Sequence, residues 1–329
     1  KVLRKKVLKG QLTIEKSQAI NDTSTASESL TDLHDCDLVI EAVFESRELK
    51  AQITGKSEKQ LSENAVFASN TSTLPITGLA EASSRPENFI GLHFFSPVDK
   101  MPIVEIICGQ KTSVQTLAKA YDYVLQIGKT PIVVNDSRGF FTSRVFSTFT
   151  HEGIAMLAEG IPAAAIENAA FLAGFPVGPL AVTDEVSLTL LEKIRVQTIK
   201  DLQAEGKEVP SHPADAVIDK MLNKQRTGKL DKAGFYQYPE TGKKSLWPAL
   251  NQLFPQTEQE IDIDIDIDID IDIEKLKDRL LYIQALETLR CLNEQVLTSV
   301  RDANIGSIMA IGYPTWTGGA LQFINQTGL

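Results

Sequence analysis

Three residues of this chain have the types and spacing to do chemistry together. His93 stands in GLHFFSP (Gly91–Pro97), Glu105 follows twelve residues later inside the apolar run IVEII, and Ser72 lies in SNTST (Ser69–Thr73). A carboxylate flanked by Val104 and Ile106 is costly to bury without a charged or hydrogen-bonding partner, and an imidazole is such a partner. A carboxylate in turn holds the ring in one tautomer and stabilises its protonated form, which makes a competent general base. The Ser72 hydroxyl can hold a substrate oxygen or a cofactor. Each residue also has a plainer reading: His93 as a satisfied core ring, Glu105 facing solvent, Ser72 as a helix cap. Their convergence on neighbouring strand ends favours the chemical one.

The elements that must position them are legible as apolar, β-branched runs. DLVIEAVF (Asp37–Phe44), AVFAS (Ala65–Ser69), FIGLHFF (Phe89–Phe95), VEIIC (Val104–Cys108) and PIVVN (Pro131–Asn135) read as buried strands. Between some of them lie helical patterns. The clearest places Val114, Leu117, Tyr121 and Val124 on one face. Strand, helix, strand in alternation predicts an α/β domain over residues 1–136 with a mainly parallel sheet. Such sheets bind ligands outside the carboxyl ends of their strands.

From Ser143 the pattern turns helical, with breaks such as GFPVGP (Gly174–Pro179), and this second unit closes near KAGFYQYPETG (Lys232–Gly242). Residues 137–242 are therefore expected to form an all-helical domain. Residues 243–273 read as a linker ending in the tract IDIDIDIDIDIDI (Ile261–Ile273), whose six aspartates repel one another. A repeat follows. At an offset of 135, Arg144 meets Arg279, Glu152 meets Glu287, Leu157 meets Leu292 and Glu159 meets Glu294; farther on, Gly174–Pro176 (GFP) meets Gly312–Pro314 (GYP). Residues 274–329 thus read as a second, incomplete copy of the helical unit, and each copy is expected to bury an apolar face, most simply against the other.

Composition narrows the class. With 33 basic and 43 acidic residues the net charge is −10, and six of the negative charges sit in the Ile–Asp tract. There is no basic field for nucleic acid. No run approaches the length of a membrane helix. Three cysteines, Cys36, Cys108 and Cys291, form no CxxC pair, which fits buried thiols in a reducing compartment better than disulfides or a metal site.

The segments at residues 37–50, 67–77, 89–107, 139–145 (GFFTSRV), 174–180 (GFPVGPL) and 234–238 (GFYQY) resemble, in order and spacing, the 3-hydroxyacyl-CoA dehydrogenases. The second helical copy is similar to the duplicated C-terminal part of the multifunctional fatty-acid oxidation proteins. The resemblance implies a partial Rossmann-like domain followed by an all-helical domain in two copies. It implies NAD as cofactor and a 3-hydroxyacyl-CoA as substrate. His93 matches the family's base, Glu105 the carboxylate that orients it, and Ser72 the serine near substrate oxygen and cofactor. Glu45 and Lys50 match residues lining the NAD site. Ser143 stands where the family often has an asparagine that polarises the substrate, and Ser96 where another asparagine touches the cofactor. A fused enoyl-CoA hydratase, a thiolase subunit and a homo-oligomer are partners the resemblance brings with it. A cytoplasmic location follows for a bacterial protein, a mitochondrial or peroxisomal matrix for a eukaryotic one.

One family feature is missing. No G-x-G-x-x-G occurs in the sequence, and that glycine turn is what holds a dinucleotide's pyrophosphate. In this family it lies upstream of the position of Lys1, so the chain is expected to be part of a larger protein. Two other readings stay open: a non-catalytic relative retaining the fold, and another NAD-dependent hydroxyacid dehydrogenase. The latter usually relies on a lysine, whereas the His–Glu pair favours the acyl-CoA family.

Overall fold

The computed structural model describes residues 2–255 and 272–328; the Ile–Asp tract lies outside the described residues up to residue 271. Two amino-terminal helices, α1 (Val2–Leu8) and α2 (Ile14–Asp22), precede five strands: β1 (Leu38–Glu41), β2 (Val66–Ser69), β3 (Phe89–Phe94), β4 (Ile103–Cys108) and β5 (Thr130–Asn135). They form one sheet in the order β1-β2-β3-β4-β5. Neighbours are parallel except β3 and β4, which run antiparallel. The expectation of a mainly parallel sheet holds, with this one reversal. Its cause is short: only Phe95–Pro102 joins β3 to β4, and a parallel return needs a crossover of about a dozen residues or more.

The helices α3 (Arg47–Ser57), α4 (Ile76–Ala80) and α5 (Val114–Gln126) fill the connections, with Ser46 and Ser113 capping α3 and α5 by accepting the Leu49 and Thr116 amides. Strand alternation sorts the side chains into two layers. Val66, Ala68, Ile90, Leu92, Val104 and Ile106 pack with Ala120 and Val124 of α5. Phe67, Phe89, Ile103 and Ile107 join the larger core that continues into the helical part of the molecule. His93 and Glu105, in phase with Phe89 and Ile103, project on that second face. On α5, Leu117 and Tyr121 pack against the core beside Val124, but Val114 is exposed. It is the first residue of the helix, at its exposed amino-terminal end.

The rest is helical apart from a two-stranded antiparallel sheet, β6 (Tyr236–Gln237) and β7 (Ser245–Leu246): α6 (Thr142–Ala158), α7 (Ala163–Ala173), α8 (Pro179–Val186), α9 (Leu188–Ala204), α10 (Pro213–Asn223) and α11 (Leu250–Leu253), then α12 (Ile273–Asn293), α13 (Val300–Met309) and α14 (Ala320–Thr327). The GFYQY segment is pinned by two buried carboxylates. Asp184 accepts the Phe235 and Tyr236 amides, each at 2.8 Å, and the Tyr238 hydroxyl at 2.9 Å. Glu167 accepts the Tyr236 hydroxyl at 2.6 Å and the Leu180 amide at 2.8 Å.

Burial pushes both carboxyls above their ordinary range, against the opposing pull of these donors. A carboxyl that holds its proton more tightly folded than unfolded adds stability below its unfolded pKa. That contribution is lost as pH rises through the folded value. The melting-temperature difference between wild type and Glu167→Gln, followed upward from pH 4, is therefore expected to move against wild type. A difference that stays flat over this range would show that Glu167 is not held protonated by burial.

Residues 274–329, which the sequence reads as a second copy, pack on the first helical unit through ion pairs and a shared turn contact. Arg144 in α6 binds Glu287 in α12 (2.6 Å) and Glu294 just past its end (2.6 Å), while Arg279 in α12 binds Glu152 in α6 (2.6 Å) and Glu159 just past its end. Each arginine thus reaches the two glutamates that, in the other copy, correspond to those its own helix offers. The GFP and GYP turns meet in the same reciprocal way. Gly174 and Gly312 both have positive φ, at 102° and 73°, and an added Cβ would press on Pro314 and Trp316 in one case and on Pro176 in the other. The Phe175 and Tyr313 rings meet edge to face at 5.9 Å. The segment after α12 also closes the outer edge of the sheet: the Asn135 amide donates to Val296 O at 2.8 Å and the Val133 amide to Asp302 at 3.2 Å. Cys36, Cys108 and Cys291 are unpaired thiols, and burial pushes Cys108 up to about 11 and Cys291 up to about 12.

Candidate active site

In the ladder between β3 and β4, His93 is the direct partner of Glu105. Their twelve-residue separation is therefore the register of a hairpin, and it brings the two side chains together on one face. His93 Nδ1 lies 2.9 Å from Glu105 Oε2. A carboxylate acceptor at Nδ1 keeps the proton there and leaves the Nε2 lone pair to accept another. The ring is 8% exposed, packed against Phe95 with centroids 4.5 Å apart. Glu105 is fully buried in the middle of β4 rather than at a strand's carboxyl end, because β4 runs opposite to β3. It has no solvent-facing alternative.

What makes that burial tolerable is the start of α6. The Phe141 and Thr142 amides donate to Glu105 Oε1 at 3.1 and 3.0 Å, and the Thr142 hydroxyl donates to Oε2 at 2.5 Å. No side chain of α6 caps its own first turn; Glu105 fills that place from the sheet, where the helix dipole favours a negative charge.

Ser72 sits in the turn that leaves β2. Glu45 organises that turn: its Oε1 accepts the Ser72 amide (3.1 Å), the Thr73 amide (3.2 Å) and the Thr71 hydroxyl (2.5 Å). The Ser143 hydroxyl donates to Ser72 O at 2.9 Å, so its one proton ties α6 to the turn. The Ser72 hydroxyl has no hydrogen-bond partner among the described residues. Asn70 joins this turn to the end of β3 by accepting the Phe94 amide at 2.9 Å. Ser96 is exposed beyond β3.

Lys50 is placed behind the site rather than on its surface. It is 1% exposed, and its ammonium lies 3.0 Å from Glu41 and 3.4 Å from Glu45. Where the resemblance has it lining the cofactor site, the side chain here lies beneath that surface and supports Glu45. Glu41, itself buried, accepts the Val43 amide at 2.6 Å and the Ser69 hydroxyl at 2.8 Å. Glu41, Ser69, Asn70 and Thr142 are contributors that the sequence reading passes over. Glu41 and Lys50 share one carboxyl-terminal strand edge and one helix turn in EAVFESRELK, and a charge at each end of that segment is the signal that could have found them.

Among the described residues no cluster of histidine, cysteine and acidic side chains could hold a metal ion, and no helix is long and apolar enough to cross a membrane. Residues 1–137 match the profile described as 3-hydroxyacyl-CoA dehydrogenase, NAD binding domain, and residues 139–238 the one described as 3-hydroxyacyl-CoA dehydrogenase, C-terminal domain. The fatty acid oxidation complex subunit alpha of Shewanella putrefaciens is 37% identical over 334 residues, an alignment spanning 100% of this chain and 45% of that protein. The chain therefore spans about half the length of such curated relatives. The crystal structure of (S)-3-hydroxybutyryl-CoA dehydrogenase from Ralstonia eutropha is 32% identical, with a TM-score of 0.65 over 73% of this chain and 83% of that one. The dehydrogenase part of multifunctional enzyme 1 from C. elegans is 25% identical, with a TM-score of 0.61 over 95% of this chain and 69% of that one.

Proposed function

The chain belongs to the 3-hydroxyacyl-CoA dehydrogenase family, and from that premise we propose that it carries the NAD-dependent oxidation of an (S)-3-hydroxyacyl-CoA to the 3-ketoacyl-CoA. The observation that carries this proposal is the His93–Glu105 pair at the carboxyl end of β3, with the Ser72 turn beside it. His93 Nε2 takes the proton of the C3 hydroxyl as the C3–H bond breaks. Glu105 keeps the ring in the accepting tautomer and offsets the positive charge it gains. Ser72 donates its hydroxyl to the substrate oxygen, and Ser143 holds the turn that presents it. NAD, when bound, accepts the hydride.

The residues present suit the nicotinamide end of that cofactor. The carboxyl ends of β1 and β2 open beside the unengaged Ser72 hydroxyl, Glu45 fixes the turn that carries it, and Phe44 stands 88% exposed with a flat face to offer. Ser96, exposed three residues after His93, is a further polar group the resemblance places toward the cofactor. Support for the wider setting comes from relatives that are alpha subunits of a fatty acid oxidation complex. By that likeness the chain works beside a fused enoyl-CoA hydratase and a thiolase subunit, in the cytoplasm of a bacterium or the equivalent matrix of a eukaryote.

The direct test follows NADH absorbance at 340 nm on adding acetoacetyl-CoA to the intact protein. Loss of absorbance dependent on both reagents is expected. CoA-thioester binding without any turnover would instead support a non-catalytic relative.

A further inference from the structure

Thr142 does something no other hydroxyl of its helix does. Ser147, Thr148 and Thr150 turn back onto backbone carbonyls of α6, the usual habit of such side chains in helices. Thr142 instead points its hydroxyl into the site and donates at 2.5 Å to Glu105 Oε2, the same oxygen that receives His93 Nδ1. Its Oγ1 is 3.5 Å from that nitrogen, and the residue is 1% exposed. Capping of the helix does not require this bond, because the two backbone amides go to the other oxygen, Oε1.

We propose that Thr142 is a positioning residue that sets how strongly Glu105 supports the protonated base, by sharing the one carboxylate oxygen that faces His93. This rests on the reading of His93 as the base. The oxygen has two lone pairs, and the hydroxyl and the ring fill them. Two consequences follow. The ring is confined to the single direction left on Oε2, and the β-branched Thr142 holds its own donor stiffly. In addition, the negative charge available to the imidazolium is divided with a strong hydrogen bond to a charged acceptor.

The other charged groups near the pair leave this balance local. From α6, Arg144 is matched by Glu287 of α12 and Glu294 just past its end. Cys291 of α12 is a neutral thiol. On the other side Glu45 is engaged with Lys50 and the Ser72 turn. Removing the hydroxyl therefore changes the environment of Oε2 without freeing a second charge.

The test compares pH profiles of kcat/KM for hydroxyacyl oxidation by wild type, Thr142→Val, Thr142→Ala and Thr142→Ser. With the hydroxyl gone, Glu105 supports the imidazolium better, the base stays protonated to higher pH, and the acid limb moves up by roughly half to one pH unit. KM is expected to change less than about twofold, because a uniform binding contact is not touched, and Thr142→Ser restores the wild-type limb. Using both Val and Ala guards against one of them folding poorly. An acid limb that stays in place in either folded variant overturns the proposal. His93→Gln separates the two levels: turnover retained there defeats the base assignment itself, whereas turnover lost there with an unmoved limb in Thr142→Val defeats only the role of Thr142.

Discussion

His93→Gln is expected to lower kcat by about 10²–10⁴-fold, the range general-base catalysis contributes, while substrate KM stays within a few-fold of wild type. Glutamine is close in size and can still donate to Glu105, so the pocket between Phe95 and the start of α6 remains filled. What it cannot do is accept the hydroxyl proton at the position of Nε2. Loss confined to kcat marks an interaction made only in the transition state. Steady-state kinetics with an NADH readout decides the matter: near-normal kcat would remove His93 from the chemistry, and a rise in KM alone would make it a binding residue.

The second large effect concerns stability. Lys50→Met is expected to cost about 3–5 kcal/mol, the usual consequence of leaving a buried charge without its partner. Glu41 and Lys50 have side chains only 1% and 2% exposed, so water cannot replace the lost ammonium. Methionine fills much of the same volume, which keeps cavity formation out of the comparison. The double variant Lys50→Met, Glu41→Gln should recover much of the loss, because the buried charge goes while the side-chain carbonyl still accepts from the Val43 amide or the Ser69 hydroxyl. Urea unfolding at constant m-value measures each change. A cost below about 1 kcal/mol for the single variant would mean that Glu41 finds another partner or solvent, and a double variant no better than the single would mean that Lys50 acts through packing.

These two residues also show what the sequence discloses and what it withholds. His93 and Glu105 are visible because each is polar within an apolar run, and because twelve residues separate them. That the separation is a hairpin register follows from the shortness of Phe95–Pro102, a length argument available from the sequence once the strands are placed. The five strands are themselves legible from apolar runs. The first is shorter than its run, Leu38–Glu41 against Asp37–Phe44, because the chain leaves the sheet at Ala42 to bring Glu45 to the Ser72 turn.

Lys50 is a different case. A motif match assigns it to a ligand site, but burial is a property of three dimensions: α3 turns Lys50, Thr54 and Ser57 inward, a polar face that hydrophobic periodicity does not report. Ser143 and Thr142 are adjacent, and nothing in their order says which hydroxyl will meet a carboxylate and which a carbonyl. Only the packing of α6 on β4 decides that.

The exchange of arginines and glutamates between α6 and α12 has a thermodynamic consequence. Two copies of a fold that meet through a self-complementary surface ordinarily dissociate on dilution, and their stability then depends on protein concentration. Here both surfaces belong to one polypeptide, so their meeting is intramolecular and is governed by an effective concentration set by the chain. Diluting the protein cannot part them. A substitution on one side is also not repeated on the other, as it would be in a dimer of identical subunits. Arg144, one residue from Ser143, and Arg279, 135 positions later, can therefore be changed one at a time.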